Sequence, residues 1–101
     1  MHSTKAVTTA AGTTTIVTAV AGRTVLVKRL FLVAAATATV QVQDTAANNL
    51  TGVMTMTTGV PFDFELEPID HNDGIFNSAV GTGIQLVTTG GAVNGAIWFD
   101  Q

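Results

Sequence analysis

The chain of 101 residues has no cysteine and no tyrosine, two histidines, two prolines, and only 11% charged residues. Without cysteine there is no disulfide framework and no thiolate metal site, so folding is indifferent to redox compartment. The histidines are His2 and His71. A serine-histidine-acid arrangement would have to join His71 to Ser3 or Ser78, and no nucleophile-elbow sequence surrounds either serine. Glu65 and Glu67 fall on an outward strand parity, without the cleft that paired-carboxylate hydrolysis needs. The several inward histidines of a cupin-like metal site are missing. These shortages predict a protein that is not an enzyme, with no catalytic residue, no metal site and no cofactor.

A net charge of -3 and a sequence pI near 4.9 argue against nucleic acid as a partner, because phosphate binding needs a basic face. No apolar run reaches the ~20 residues of a membrane helix. The first twelve residues lack a signal peptide's apolar core, so synthesis in a cytoplasm is expected. In the run Asp70-His71-Asn72-Asp73-Gly74, carboxylate and amide oxygens cluster at Asp70, Asn72 and Asp73, but the spacing is too compressed for a calcium loop and reads as turn chemistry.

What the chain has is apolar residues, at 47%, and eighteen threonines. A soluble monomer normally keeps its surface wet with charge. A threonine- and alanine-coated surface suits a protein packed against neighbours.

The longest apolar run, in residues 22–44, holds Lys28 and Arg29 side by side. β-Branched residues and the leading Gly22 favour a strand over residues 24–33. A regular strand would drive one of the two cations inward. A bulge at the pair would send both heads to solvent and move the inward parity from odd to even residues. A second strand, residues 38–43, is expected to return beside it.

Further strands are expected at residues 13–20, 50–57, 60–67, 84–88 and 93–99, with a hairpin turn at 89–92 and a long loop at 68–83 pinned by Ile75 and Phe76. Asp63, Glu65 and Glu67 form an outward acidic row that guards an edge. Trp98 has outward parity, where tryptophan is enriched in binding hot spots. Residues 1–12 read as an extended N-terminal arm, frayed or ordered against a neighbour, and residues 13–101 as one domain. About seven or eight short strands with turns every 8–12 residues predict an all-β fold, an antiparallel β-sandwich that is jelly-roll-like.

The chain resembles small β-sandwich proteins encoded among the structural genes of tailed bacteriophages. Gly22, Val25, Val27 and Arg29 to Ala34 match a first recurring strand; Gly74, Phe76, Gly81 and Leu86 a second segment; and Val93, Gly95 and Phe99 a closing strand. The resemblance implies a capsid cement, or decoration, protein on the outer surface of the virion. Its partners would be the major capsid protein and copies of itself, a homotrimer ahead of a dimer. Met1, His2, Ser3, Thr4, Lys5, Lys28, Arg29 and Trp98 are the expected protein-interface residues. A tail-fibre or receptor-binding module stacking a host glycan on Trp98 is the alternative.

Overall fold

A computed structural model describes residues 2–65 and 76–101. Nine strands run in order: β1 (His2–Thr9), β2 (Gly12–Val17), β3 (Leu26–Ala34), β4 (Ala38–Asp44), β5 (Met54–Met56), β6 (Phe62–Glu65), β7 (Phe76–Asn77), β8 (Ile84–Thr89) and β9 (Val93–Asp100). One sheet, A, has the order β1-β9-β3-β6, with β7 also on β3; the other, B, has the order β2-β8-β4-β5. All pairings between these strands are antiparallel. The chain is folded back on itself, so that β1 meets β9, β2 meets β8, β3 meets β6 and β4 meets β5. That double ribbon wraps into two sheets through the β3·β9 and β4·β8 contacts. The result is a jelly roll, a β-sandwich whose strands alternate between sheets.

Alternation along each strand supplies the core. In β4, Ala38, Val40, Val42 and Asp44 are buried, and the residues between them are half-exposed. In β8, Ile84, Leu86 and Thr88 face the same interior. Val27, Leu30, Leu32, Val93 and Ile97 meet them from sheet A, and one continuous apolar cluster joins both sheets.

The organising strand carries the bulge. Pairing of β3 with β9 slips between Val27 and Arg29. Val25 and Val27 are fully buried before the slip; Leu30, Leu32 and Ala34 are buried after it. The inward parity changes from odd to even, and Lys28 and Arg29 both stay half-exposed. A regular strand would have put a cation among aliphatic side chains at a cost of several kcal/mol, which one extra residue avoids.

Several expectations about neighbours are corrected. The segment at residues 38–43 does not return beside β3; it crosses to the other sheet. Residues 89–92 connect β8 in sheet B to β9 in sheet A and form no hairpin. The strand expected over residues 13–20 stops at Val17, with a second register slip between Thr15 and Val17 that buries Ile16 and Val17 together. Of the strand expected over residues 60–67, the described part is β6 (Phe62–Glu65), and Val60 before it is 51% exposed. Ile75, the Asp70–Gly74 turn and Glu67 lie outside the described residues.

The largest correction concerns the N-terminus. His2–Thr9, expected as an arm, is an edge strand of this chain's own sheet, in register with β9 from His2↔Asp100 to Thr9↔Val93. Two residues pin it: Val7 is 2% exposed, and the buried Thr9 hydroxyl donates to the Val93 carbonyl at 3.0 Å. Removing residues 1–12 would therefore strip β9 of a partner rather than trim a loose end.

The β4–β5 turn is held by a buried carboxylate. Asp44 Oδ1 accepts from the backbone N–H groups of Ala46 and Asn48, each at 3.0 Å, and Oδ2 from the Asn48 side-chain amide at 3.0 Å. Burial acts to raise the Asp44 carboxyl, but these hydrogen bonds outweigh it and hold it below its ordinary value of 3.8. The buried carboxylate of Asp44 thus has a structural task.

Candidate functional site

The outer face of sheet A gathers part of the expected interface set into one row. Thr4 lies opposite Trp98, and Trp98 lies opposite Arg29, so three neighbouring strands present these residues side by side. The Arg29 guanidinium carbon stands 4.8 Å from the centroid of the Trp98 ring. The same guanidinium makes a two-pronged contact with Asp63 on β6: Nε donates to Oδ1 and a terminal nitrogen to Oδ2, both at 3.0 Å. The hydrogen bond and charge of Arg29 hold the Asp63 carboxyl below 3.8. Asp63, expected as part of an acidic row that guards an edge, therefore fixes the orientation of Arg29 over the indole.

The other expected residues are not part of this row. Lys28 sits at the bulge beside it. Ser3 and Lys5 have the opposite parity, in register with the core residues Phe99 and Ile97. Lys5 is nevertheless exposed, because β1 is the rim of the sandwich. The His2 backbone pairs with Asp100, and Met1 lies outside the described residues.

The Arg29–Asp63 contact has a visible optical reporter in Trp98. Because the folded-state pKa of Asp63 is depressed, its stabilising contribution is present above the ordinary 3.8 and is lost as pH falls through the lower folded value. Trp98 emission should therefore change in the acid range below 3.8. Asp63→Asn should show the acid-type spectrum already at neutral pH. A spectrum identical in the two proteins across that range would contradict the coupling.

Sheet B is the opposite in character. Its strands carry one ionisable residue among those described, Asp44, and that residue is turned inward. Thr13, Thr15, Thr39, Gln41, Gln43, Thr55, Gln85, Val87 and Thr89 form its outer face. Gln85 donates to Gln43 at 2.8 Å, and Gln43 donates to Asn49 at 2.9 Å. The face is neutral and rich in groups that both donate and accept. Counting parity on β2, β4 and β8 in the sequence would have revealed it, had their partners been known.

Among the described residues, the border strands β1, β2, β5 and β6 each carry a feature that blunts strand addition. β1 has Lys5 at an inward parity, β2 has the slip at Thr15–Val17, β5 is three residues long, and β6 is preceded by Pro61 and carries Asp63. At the β5/β6 rim an open cavity of about 410 Å³ is lined by Met54, Pro61, Phe62 and Asp63.

Among the described residues no group of three acidic, histidine or cysteine side chains is placed to hold a metal ion. Among the described residues there is no helix long and apolar enough to cross a membrane. Comparison with protein-family models, with curated proteins and with solved structures gives no match.

Proposed function

We propose that the protein is a capsid cement protein of a tailed bacteriophage, seated over joints between major capsid proteins on the outer surface of the shell. The observation that carries this reading is the outer face of sheet B, which has no charge across four strands. Such a face can be buried against another protein without desolvating an ion, a step that costs several kcal/mol per unpaired charge. Threonine hydroxyls and glutamine amides rotate to suit donors or acceptors on the partner. The blunted edges point the same way: association through faces is left open while continuous strand pairing is discouraged. An interface of about 800 Å² per partner is the standard size of a specific contact, and an oligomer that engages several equivalent joints at once would gain further affinity by avidity.

Jelly rolls recur in capsid, lectin and cupin proteins, and the fold alone does not choose among them. The glycan-binding alternative rests on Trp98, but Arg29 lies over that ring. A sugar would have to displace a guanidinium anchored to Asp63.

The test uses empty shells assembled from the major capsid protein encoded in the same genome. Adding the protein should raise the temperature at which the shells open. A Thr39→Lys, Gln85→Lys variant should weaken shell binding about tenfold or more while keeping its own melting temperature, since two cations would be buried in a neutral contact. Shells that open at the same temperature with and without the protein would refute the reading.

A further inference from the structure

We propose that Asn94 is a self-modification site, at which the Asn94-Gly95 pair deamidates through a cyclic imide when strand β1 leaves β9. The product is a covalent record of that release.

The sequence holds one Asn-Gly pair, Asn94-Gly95. Asparagine followed by glycine is the dipeptide most prone to this reaction, because no side chain at the second position hinders ring closure. The Gly95 nitrogen, on losing its proton, attacks the side-chain carbonyl carbon of Asn94. A nitrogen–carbon bond forms, the bond to the side-chain nitrogen breaks, and ammonia leaves with a proton. Water then opens either carbonyl of the five-membered imide, giving aspartate or isoaspartate. Water is the only reagent consumed, and Asn94 is exposed to it. Gly95 cannot be exchanged for a larger residue, since a β-carbon there would sit on the Phe31 carbonyl oxygen. The packing of β9 against β3 thus keeps a reactive pair in the chain.

The fold supplies the lock. Asn94 lies opposite Thr8 on one side and Val33 on the other, and Gly95 lies opposite Val7 and Leu32. The Ala35 N–H donates to the Ala92 carbonyl at 3.0 Å, which marks Ala34↔Val93 as a pair that exchanges no hydrogen bonds of its own. Alternation then turns the backbone N–H and C=O of Asn94 toward β3 and those of Gly95 toward β1, opposite Val7. The attacking nitrogen is therefore held by the edge strand alone. The extended backbone of the strand also keeps the Asn94 side-chain carbonyl turned away from that nitrogen. β1 borders sheet A, and among its described residues only Val7 and Thr9 are buried. A border strand anchored at so few points opens locally before the rest of the fold.

The modification makes the release permanent. Isoaspartate adds a methylene to the main chain, so every residue after 94 loses its register with β1 and β3, the buried Ile97 and Phe99 included. A strand β1 that has left then meets a β9 that no longer matches it. Aspartate, the other product, keeps the register and adds a negative charge to the outer face of sheet A.

The experiment follows the acid products at Asn94 by peptide mapping and mass spectrometry of the purified full chain in mildly alkaline buffer, across a urea series, with circular dichroism reporting the global fold. The unfolded chain should deamidate at Asn94 about a hundredfold faster than the native chain. In the wild type the rate should already rise at urea concentrations where circular dichroism is still native, because β1 leaves first. Lys5→Pro removes a β1 N–H that the same alternation turns toward Ile97, and it leaves the core and the Asn94-Gly95 pair untouched. It should raise the rate in the folded chain about tenfold or more. Val7→Ala, which weakens one of the two anchors of β1, should act in the same direction. A native rate equal to the unfolded rate overturns the proposal. So does a wild-type rate that rises only with global unfolding, a result that needs no variant to fold. A folded Lys5→Pro chain that reacts no faster than the wild type overturns it as well.

Discussion

Replacing Gly95 by alanine should lower the melting temperature by roughly 12 °C or more, corresponding to about 3 kcal/mol of overpacking in a chain of this size. Gly95 lies in β9, the strand shared by β1 and β3, opposite Val7 on one side and Leu32 on the other. A methyl group at this position would sit on the Phe31 carbonyl oxygen, with the Phe31 carbonyl carbon 2.8 Å away and the Leu32 Cα 3.1 Å away. These are backbone atoms of a paired strand, so no side chain can rotate aside. Relief would require β9 to move away from β3, the pairing that ties the N- and C-terminal strands to the middle of sheet A. Gly52→Ala is the control: a methyl group there meets nothing within 4 Å, and the melting temperature should barely change. Equal melting of Gly95→Ala and wild type would mean that β3 and β9 are not so closely apposed.

The second large effect belongs to Leu30. Leu30 is fully buried, the first inward residue after the bulge. Leu30→Ala should cost about 3 kcal/mol, from lost transfer energy and from the cavity left between two sheets that cannot close on it. Phe31→Ala removes a larger side chain, but Phe31 is half-exposed on the outer face, so its loss should cost less than half as much. That order is a direct reading of the bulge. A regular strand continuing the odd parity of Val25 and Val27 would make Phe31 the core residue and reverse the ranking. Thermal melts of the two variants, compared side by side, decide between the arrangements.

How far the sequence alone reached can be judged on particular residues. The adjacent cations Lys28 and Arg29 inside an apolar run left two arrangements, a regular strand with one cation inward or a bulge with both outward, and the structure has the bulge, which avoids the cost of burying an unpaired ion. Alternation placed Val93, Ile97 and Phe99 inward and Trp98 outward, as observed. Which strand lies beside which was not legible. In a jelly roll the chain changes sheet after most strands, so β3 and β4, consecutive in sequence, share no pairing. Local alternation contains no information about that crossing, and the short turn at residues 89–92 resembles a hairpin loop although it bridges two sheets. The N-terminal strand escaped notice because only Val7 and Thr9 are buried, too few to stand out in a polar segment.

The same gap explains what was missed of the candidate site. Trp98 and Arg29 were both singled out as exposed contact residues, and the β3·β9 register brings them face to face. Asp63 is 34 positions from Arg29 and reaches it only because β6 lies beside β3. The neutral outer face of sheet B depends likewise on β2, β8, β4 and β5 being neighbours. Scarcity of charge was plain in the composition; its absence from the outer face of sheet B became visible only with the topology.

The most direct test of the account is sedimentation of shells built from the cognate major capsid protein with increasing amounts of this protein. The account predicts that the protein pellets with the shells, saturates at a fixed number of copies per capsid subunit, and does so equally well for the Arg29→Ala variant, whose change leaves the neutral face intact. Protein that stays in the supernatant at every concentration, with shells present and the chain folded, would contradict it.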